Sequence, residues 1–141
     1  MIKLRKRLLV HGFWLGCALF SLVLAAQAVS VNLPQDKGPD KLDVSKYPPD
    51  VQKGYKLMAA KCNQCHTLAR PLNTSMSKED WSRYVKRMMH KPNSGISDKQ
   101  GKAIFEFLVY DQTNRKDKDP SAFHKALSDE ELEKLQSEQG K

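Results

Sequence analysis

Apolar residues recur along this chain at the period of a helix, and nowhere alternate as they would along a half-buried strand. Val51, Tyr55, Met58 and Cys62 form one stripe behind the helix-starting Pro48-Pro49-Asp50. Gly54 lies inside that helix, where it costs about 1 kcal/mol against Ala, which implies a second helix too close to admit a side chain. Ser77-Lys78-Glu79-Asp80 reads as a capped start with acids in the first turn, followed by Trp81, Tyr84, Val85 and Met88 on one face. Pro92 excludes helical geometry at Lys91 and ends this helix near Met89 or His90, with Asn93, Ser94 and Gly95 as the turn. Ser97-Asp98-Lys99-Gln100 fits a capping box and opens a third helix whose apolar side is Ala103, Ile104, Phe107, Leu108 and Tyr110. Polar sequence from Asp111 to Pro120 is expected to break it. A charged helix from Ser128, carrying Leu132 and Leu135 behind Leu127, completes an all-α expectation with no repeat.

The chain divides by composition. Residues 1–28 open on Lys3, Arg5, Lys6 and Arg7, continue with an apolar run and end on Ala26-Gln27-Ala28, the pattern of a secretory signal peptide cleaved before Val29. The alternative is an uncleaved anchor: Leu8 to Ala26 is 19 residues with His11 as its only ionisable group, about the length needed to span a bilayer. Cys17 is read as part of that run. Either way the working part is exported, periplasmic or membrane-anchored on the far side. Residues 29–49, rich in Pro, Asp, Lys and Gly, are expected to be an extended linker. Residues 50–112 form the domain, and 113–141 a charged tail with a short helix.

The whole chain of 141 residues carries 24 Lys and Arg against 16 Asp and Glu, a formal charge of +8. Without the four bases of the signal segment the balance is +4. Acids and bases are interspersed, with no Lys/Arg stripe and interleaved aromatics of the kind nucleic-acid binding requires. Lys56, Lys61, Lys78, Lys86 and Lys91 are candidates for steering acidic redox partners, or equally solvated helix faces.

The most specific chemistry is Cys62-Asn63-Gln64-Cys65-His66, a C-x-x-C-H run that signals covalent haem attachment. Two thiols at that spacing on one turn reach the two vinyl groups of a porphyrin edge, and the next residue offers an imidazole to the iron. A zinc site or a dithiol redox pair is the competing use of C-x-x-C. The other histidines, His11, His90 and His124, lack ligand spacing, and no strand alternation flanks the motif as a thioredoxin-like unit would need. Pro71, five residues beyond His66, or a neighbour, is placed to offer a carbonyl to the His66 Nδ1–H. The second iron ligand is open among Met88, Met89, Met76, His90 and solvent. At 100° per residue Met88 lies about 20° from Trp81 around the axis, Met89 about 80° and His90 about 180°, which favours Met88 and leaves Met89 as the alternative.

On these residues the chain resembles a class I monohaem c-type cytochrome over Asp50 to Asp111. The resemblance rests on Gly54-x-x-x-Met58-x-x-x-Cys62-x-x-Cys65-His66, on Trp81-x-x-x-Val85-x-x-Met88 and on Ile104-Phe105-x-Phe107-Leu108. Met58 stands where that family usually has an aromatic residue. The likeness implies a small helical domain wrapped around one haem c, with the first and last helices crossing near Gly54 and Phe107. It implies thioether links at Cys62 and Cys65, His66 as proximal ligand and Met88 as distal ligand; Pro71, Trp81 and Val85 are expected in the haem pocket from their positions in the chain. The expected function is a one-electron carrier outside the cytoplasm, not an enzyme, exchanging electrons with redox partner proteins. Its competitors are a haem subunit of a larger membrane or periplasmic oxidoreductase, and a haem-based redox or gas sensor.

Overall fold

In the computed structural model, residues 31–63 and 66–139 are described. The architecture is all-α: helices α1 (Pro49–Cys62), α2 (Ala69–Leu72), α3 (Lys78–Met89), α4 (Asp98–Asn114) and α5 (Asp129–Gln139). The expected starts are in place. Pro49 occupies the first turn of α1, where its missing N–H costs nothing. The Ser77 hydroxyl accepts from the Asp80 N–H, and Ser97 and Gln100 make a reciprocal capping box at α4. Asn93 and Gly95 both take positive φ, 63° and 55°, in the turn between α3 and α4.

The core lies where α1 and α3 pack on α4. Trp81, Phe107, Met58 and Leu108 are almost wholly enclosed, with Ile104, Leu72, Val85 and Leu68 around them. At the α1–α4 crossing a Cβ on Gly54 would collide with the Ala103 carbonyl oxygen and come within 2.8 Å of Phe107 Cβ. Tyr55 and Tyr47 flank the same Phe107 ring, with centroids 5.3 and 6.5 Å away.

Three expectations are revised. The stretch read as an extended linker is packed against the helices from Val31 onward. Val31, Leu33, Gln35 and Val44 are buried, a 3-10 turn forms at Pro34–Lys37, and the Leu42 N–H bonds the Tyr55 hydroxyl at 3.0 Å. Long-range polar partners hold it, and these leave no periodic trace in sequence. The third helix does not break at Asp111 but runs to Asn114, because Asp111 and Gln112 are buried with partners. Gln112 Oε1 accepts from the Met76 N–H and the Trp81 Nε1–H, and its Nε2 donates to Ser75 and Asp117. Last, Thr74–Ser75 (β1) and His124–Lys125 (β2) pair in parallel. Two residues per strand are too few to show alternation.

The segment after α4 therefore belongs to the packed unit. Lys116 has no exposed surface. Its Nζ donates to the carbonyls of Pro71 (2.8 Å) and Thr74 (2.7 Å), stands 3.6 Å from Asp111 Oδ2 and lies 4.6 Å over the Trp81 ring. Arg115 makes a two-point contact with Asp111, at 2.7 and 2.6 Å, and also bonds the Leu72 carbonyl. Tyr47 donates its hydroxyl to Asp111 Oδ1 at 2.9 Å. Burial and the neighbouring carboxylate push that phenol up to about 12.

Two outcomes are expected in thermal or denaturant unfolding. Gly54→Ala should cost roughly 1–3 kcal/mol by forcing α1 off α4, although Ala is the better helix former. Asp111→Ala should cost roughly 3–5 kcal/mol, because it leaves the enclosed Lys116 ammonium without its counter-charge.

Candidate functional site

The C-x-x-C-H turn leaves the C-terminal end of α1, with Cys62 as its last helical residue. Cys65, with Gln64, lies outside the described residues, as does the expected signal or anchor segment at 1–28 with Cys17. Cys62 faces a cleft whose other walls are Met58, Pro71, Tyr84, Val85, Met88, Ile96, Ile104 and Leu108. The walls are apolar apart from the Cys62 thiol and the Tyr84 phenol, and burial pushes that phenol well above its ordinary range, so it stays neutral. The cavity between these walls is about 10 Å³, room for roughly one water, so a haem would have to part them.

The structure separates the sequence candidates. Met88 lines the cleft together with Cys62, Pro71 and Val85. Met89 turns to α4, where its sulfur fills the space beside Gly101. His90, at the helix end, is exposed, and its Nδ1 lies 2.6 Å from the Lys86 carbonyl. Met76 packs on the core from the β1 side and stands in the groove with Trp81 and Gln112. Trp81, expected in the pocket, is not among the cleft walls. It is enclosed behind them, edge-on to Tyr84 at 5.6 Å, bonded to Gln112 and lying under Lys116. At helical period it shares a stripe with Met88, but it stands two turns nearer the start of α3, in the interior.

His66 is half-buried, and burial, opposed by its contact with the Thr67 carbonyl, holds its pKa below the ordinary imidazole range. Its Nδ1 lies 2.9 Å from the Thr67 oxygen, whereas the Pro71 carbonyl accepts from Lys116. A carbonyl oxygen has two lone pairs, so Pro71 keeps one acceptor site beyond the lysine. Downstream, Arg70 anchors the motif's exit. It meets Asp36 at 2.8 and 2.5 Å and the Val31 carbonyl at 2.6 Å. Of the lysines named as steering candidates, Lys61 has a structural partner: it bonds the Gly95 carbonyl at 2.9 Å and ties the α3–α4 turn to α1. Lys56, Lys78, Lys86 and Lys91 are exposed.

The residues that sequence reasoning missed are Asp111, Arg115, Lys116 and Arg70. Each is a charged group, and such groups are usually solvated. No helix among the described residues is long and apolar enough to cross a membrane, and no three His, Cys, Asp or Glu among them cluster in a way that could hold a metal ion. Compared with protein families, with curated proteins and with solved structures, the chain matches none.

Burial raises the Asp36 carboxyl, but Arg70 and the Leu33 N–H more than offset it, leaving its pKa below the ordinary aspartate value. A carboxyl depressed on folding contributes stability that is present above its unfolded pKa and is lost as pH falls through the folded one. The Leu33 amide resonance, titrated with acid, should therefore move at a pH below that of an ordinary aspartate, as the clasp on Arg70 opens. Arg70→Ala should bring that midpoint back up.

Proposed function

We propose that this chain is a single-haem c-type electron carrier working outside the cytoplasm. The observation that carries the reading is the cleft at the end of α1. A thiol of the C-x-x-C-H motif and the methionine chosen on helix geometry, Met88, share its apolar walls. Two of the four donors, Cys62 and Met88, line that cleft: Cys62 and Cys65 would hold the group covalently, and His66 and Met88 would bind its iron. Bound there, haem supplies a metal that gains and loses one electron.

The chain's own residues do the rest. Met58, Val85, Ile96, Ile104 and Leu108 exclude water and lower the local dielectric, which disfavours the more highly charged state of a centre placed among them. The α1–α4 crossing at Gly54 fixes where the end of α1 presents Cys62. The Arg70–Asp36 clasp fixes the chain just beyond His66. With His66 and Met88 both engaged, no position would be left for a substrate, which supports a carrier over an enzyme. Exposed Lys56, Lys86 and Lys91 favour acidic redox partners.

Protein exported from a host competent in cytochrome maturation should be red and keep its colour after denaturation, since thioether links survive unfolding. Met88→Ala should lower the reduction potential and admit carbon monoxide rapidly, while Met89→Ala should only loosen packing against Gly101. The reverse pattern would make Met89 the ligand. His66→Ala should abolish stable holoprotein. A colourless or zinc-containing product would overturn the reading, and rapid carbon monoxide binding by the unmutated protein would turn it towards a sensor.

A further inference from the structure

The buried cluster beside the cleft has no role in the scheme above. Lys116 is enclosed on every side. From α4 and its end it faces Asp111, whose charge is shared with Arg115 and the Tyr47 hydroxyl. Asp117 follows it and is held by Gln112. From α3 it faces the Trp81 ring, and from the α2–β1 segment the two carbonyls of Pro71 and Thr74. Pro71 serves both: it lines the cleft, and its carbonyl holds the Lys116 ammonium 2.8 Å away. One residue thus separates a buried positive charge from the space assigned to the haem.

We propose, resting on the haem reading, that Lys116 sets the potential of this centre and couples its reduction to uptake of a proton. Its ammonium opposes the extra positive charge of the oxidised iron through a medium that water does not screen, and so holds the potential up. The lysine also positions, since its bonds to Pro71 and Thr74 fix the segment that walls the cleft. The coupling is reciprocal: a centre whose reduction is favoured by the proton makes the proton bind better once it is reduced. When one electron arrives from a donor protein, Lys116 Nζ takes up a fraction of a proton from water, and gives it back on oxidation. Burial, opposed by Asp111, brings Lys116 down to about 8, within reach of neutral pH.

The test is a potentiometric titration of the holoprotein between about pH 6 and about pH 10, two units either side of the lowered Lys116 at about 8. It is read while the sulfur-to-iron absorption persists, so that Met88 remains bound. Unmutated protein should show a potential that falls as pH rises through about 8. Lys116→Met should start lower and lose that fall. Lys116→Arg, which keeps the charge but does not deprotonate, should stay high across the range. A flat curve for the unmutated protein, or the same fall in Lys116→Met, overturns the proposal. Should Lys116→Met fail to fold, the unmutated and Lys116→Arg curves decide, since an arginine variant that falls alongside the unmutated protein removes Lys116 from the account. A colourless protein sinks the haem reading itself, whereas a coloured one with a pH-independent potential sinks only the role of Lys116.

Discussion

The contact on which this fold depends is the close approach of α1 to α4 at Gly54. With no Cβ there, the α1 backbone rests against the Ala103 carbonyl and the Phe107 side chain. That distance sets the floor of the core, because Met58 lies one turn further along α1 and Ile104 and Leu108 face it from α4. It also sets the site, because Cys62 lies one turn beyond Met58. Helix α3 then completes the third wall with Tyr84, Val85 and Met88. A side chain at position 54 would propagate to the cleft, since close-packed interiors transmit a displacement rather than absorb it.

A second constraint works through charge. Asp111, Arg115 and Lys116 gather partners from three separated parts of the chain: Tyr47 before α1, Pro71, Leu72 and Thr74 after the C-x-x-C-H turn, and the end of α4 itself. Apolar burial cannot specify these loops, which have few large side chains. Directional bonds to backbone carbonyls can, because each leaves a buried carbonyl satisfied and permits one chain path. Replacing the trio by apolar residues would leave the Pro71, Leu72 and Thr74 carbonyls without these partners, so a hydrophobic substitute is poorer here than it is for an isolated ion pair.

Much of this was legible from periodicity and caps. The three main helices, their starts at Pro49, Ser77 and Ser97, the meaning of Gly54 and the facing of Met88, not Met89, onto the cleft all rest on local rules or on one helical face, and short-range physics suffices for them. What was illegible depends on pairs far apart in sequence. The 31–48 segment reads as linker because its composition is that of one. Its burial follows from Asp36 meeting Arg70 and from Asn73, which bonds Pro39 and Ala69. Asp111 read as a helix breaker because a lone acid is normally solvated, and only its three partners make it an interior residue. Trp81 lies behind the cleft walls for a different reason: a shared stripe gives direction around a helix axis but not depth along it.

The two kinds of constraint meet at Pro71. It belongs to an apolar wall, set by helix packing, and its carbonyl is part of a polar network, set by charge. A residue of this kind couples regions that would otherwise be independent. Motion of the wall changes the bond to Lys116, and a change in the charge on Lys116 alters how firmly the wall is held. Helix packing alone would have yielded a cleft with no electrostatic character of its own. The polar segment after α4, lacking any hydrophobic signature, gives that cleft a positive charge behind one wall.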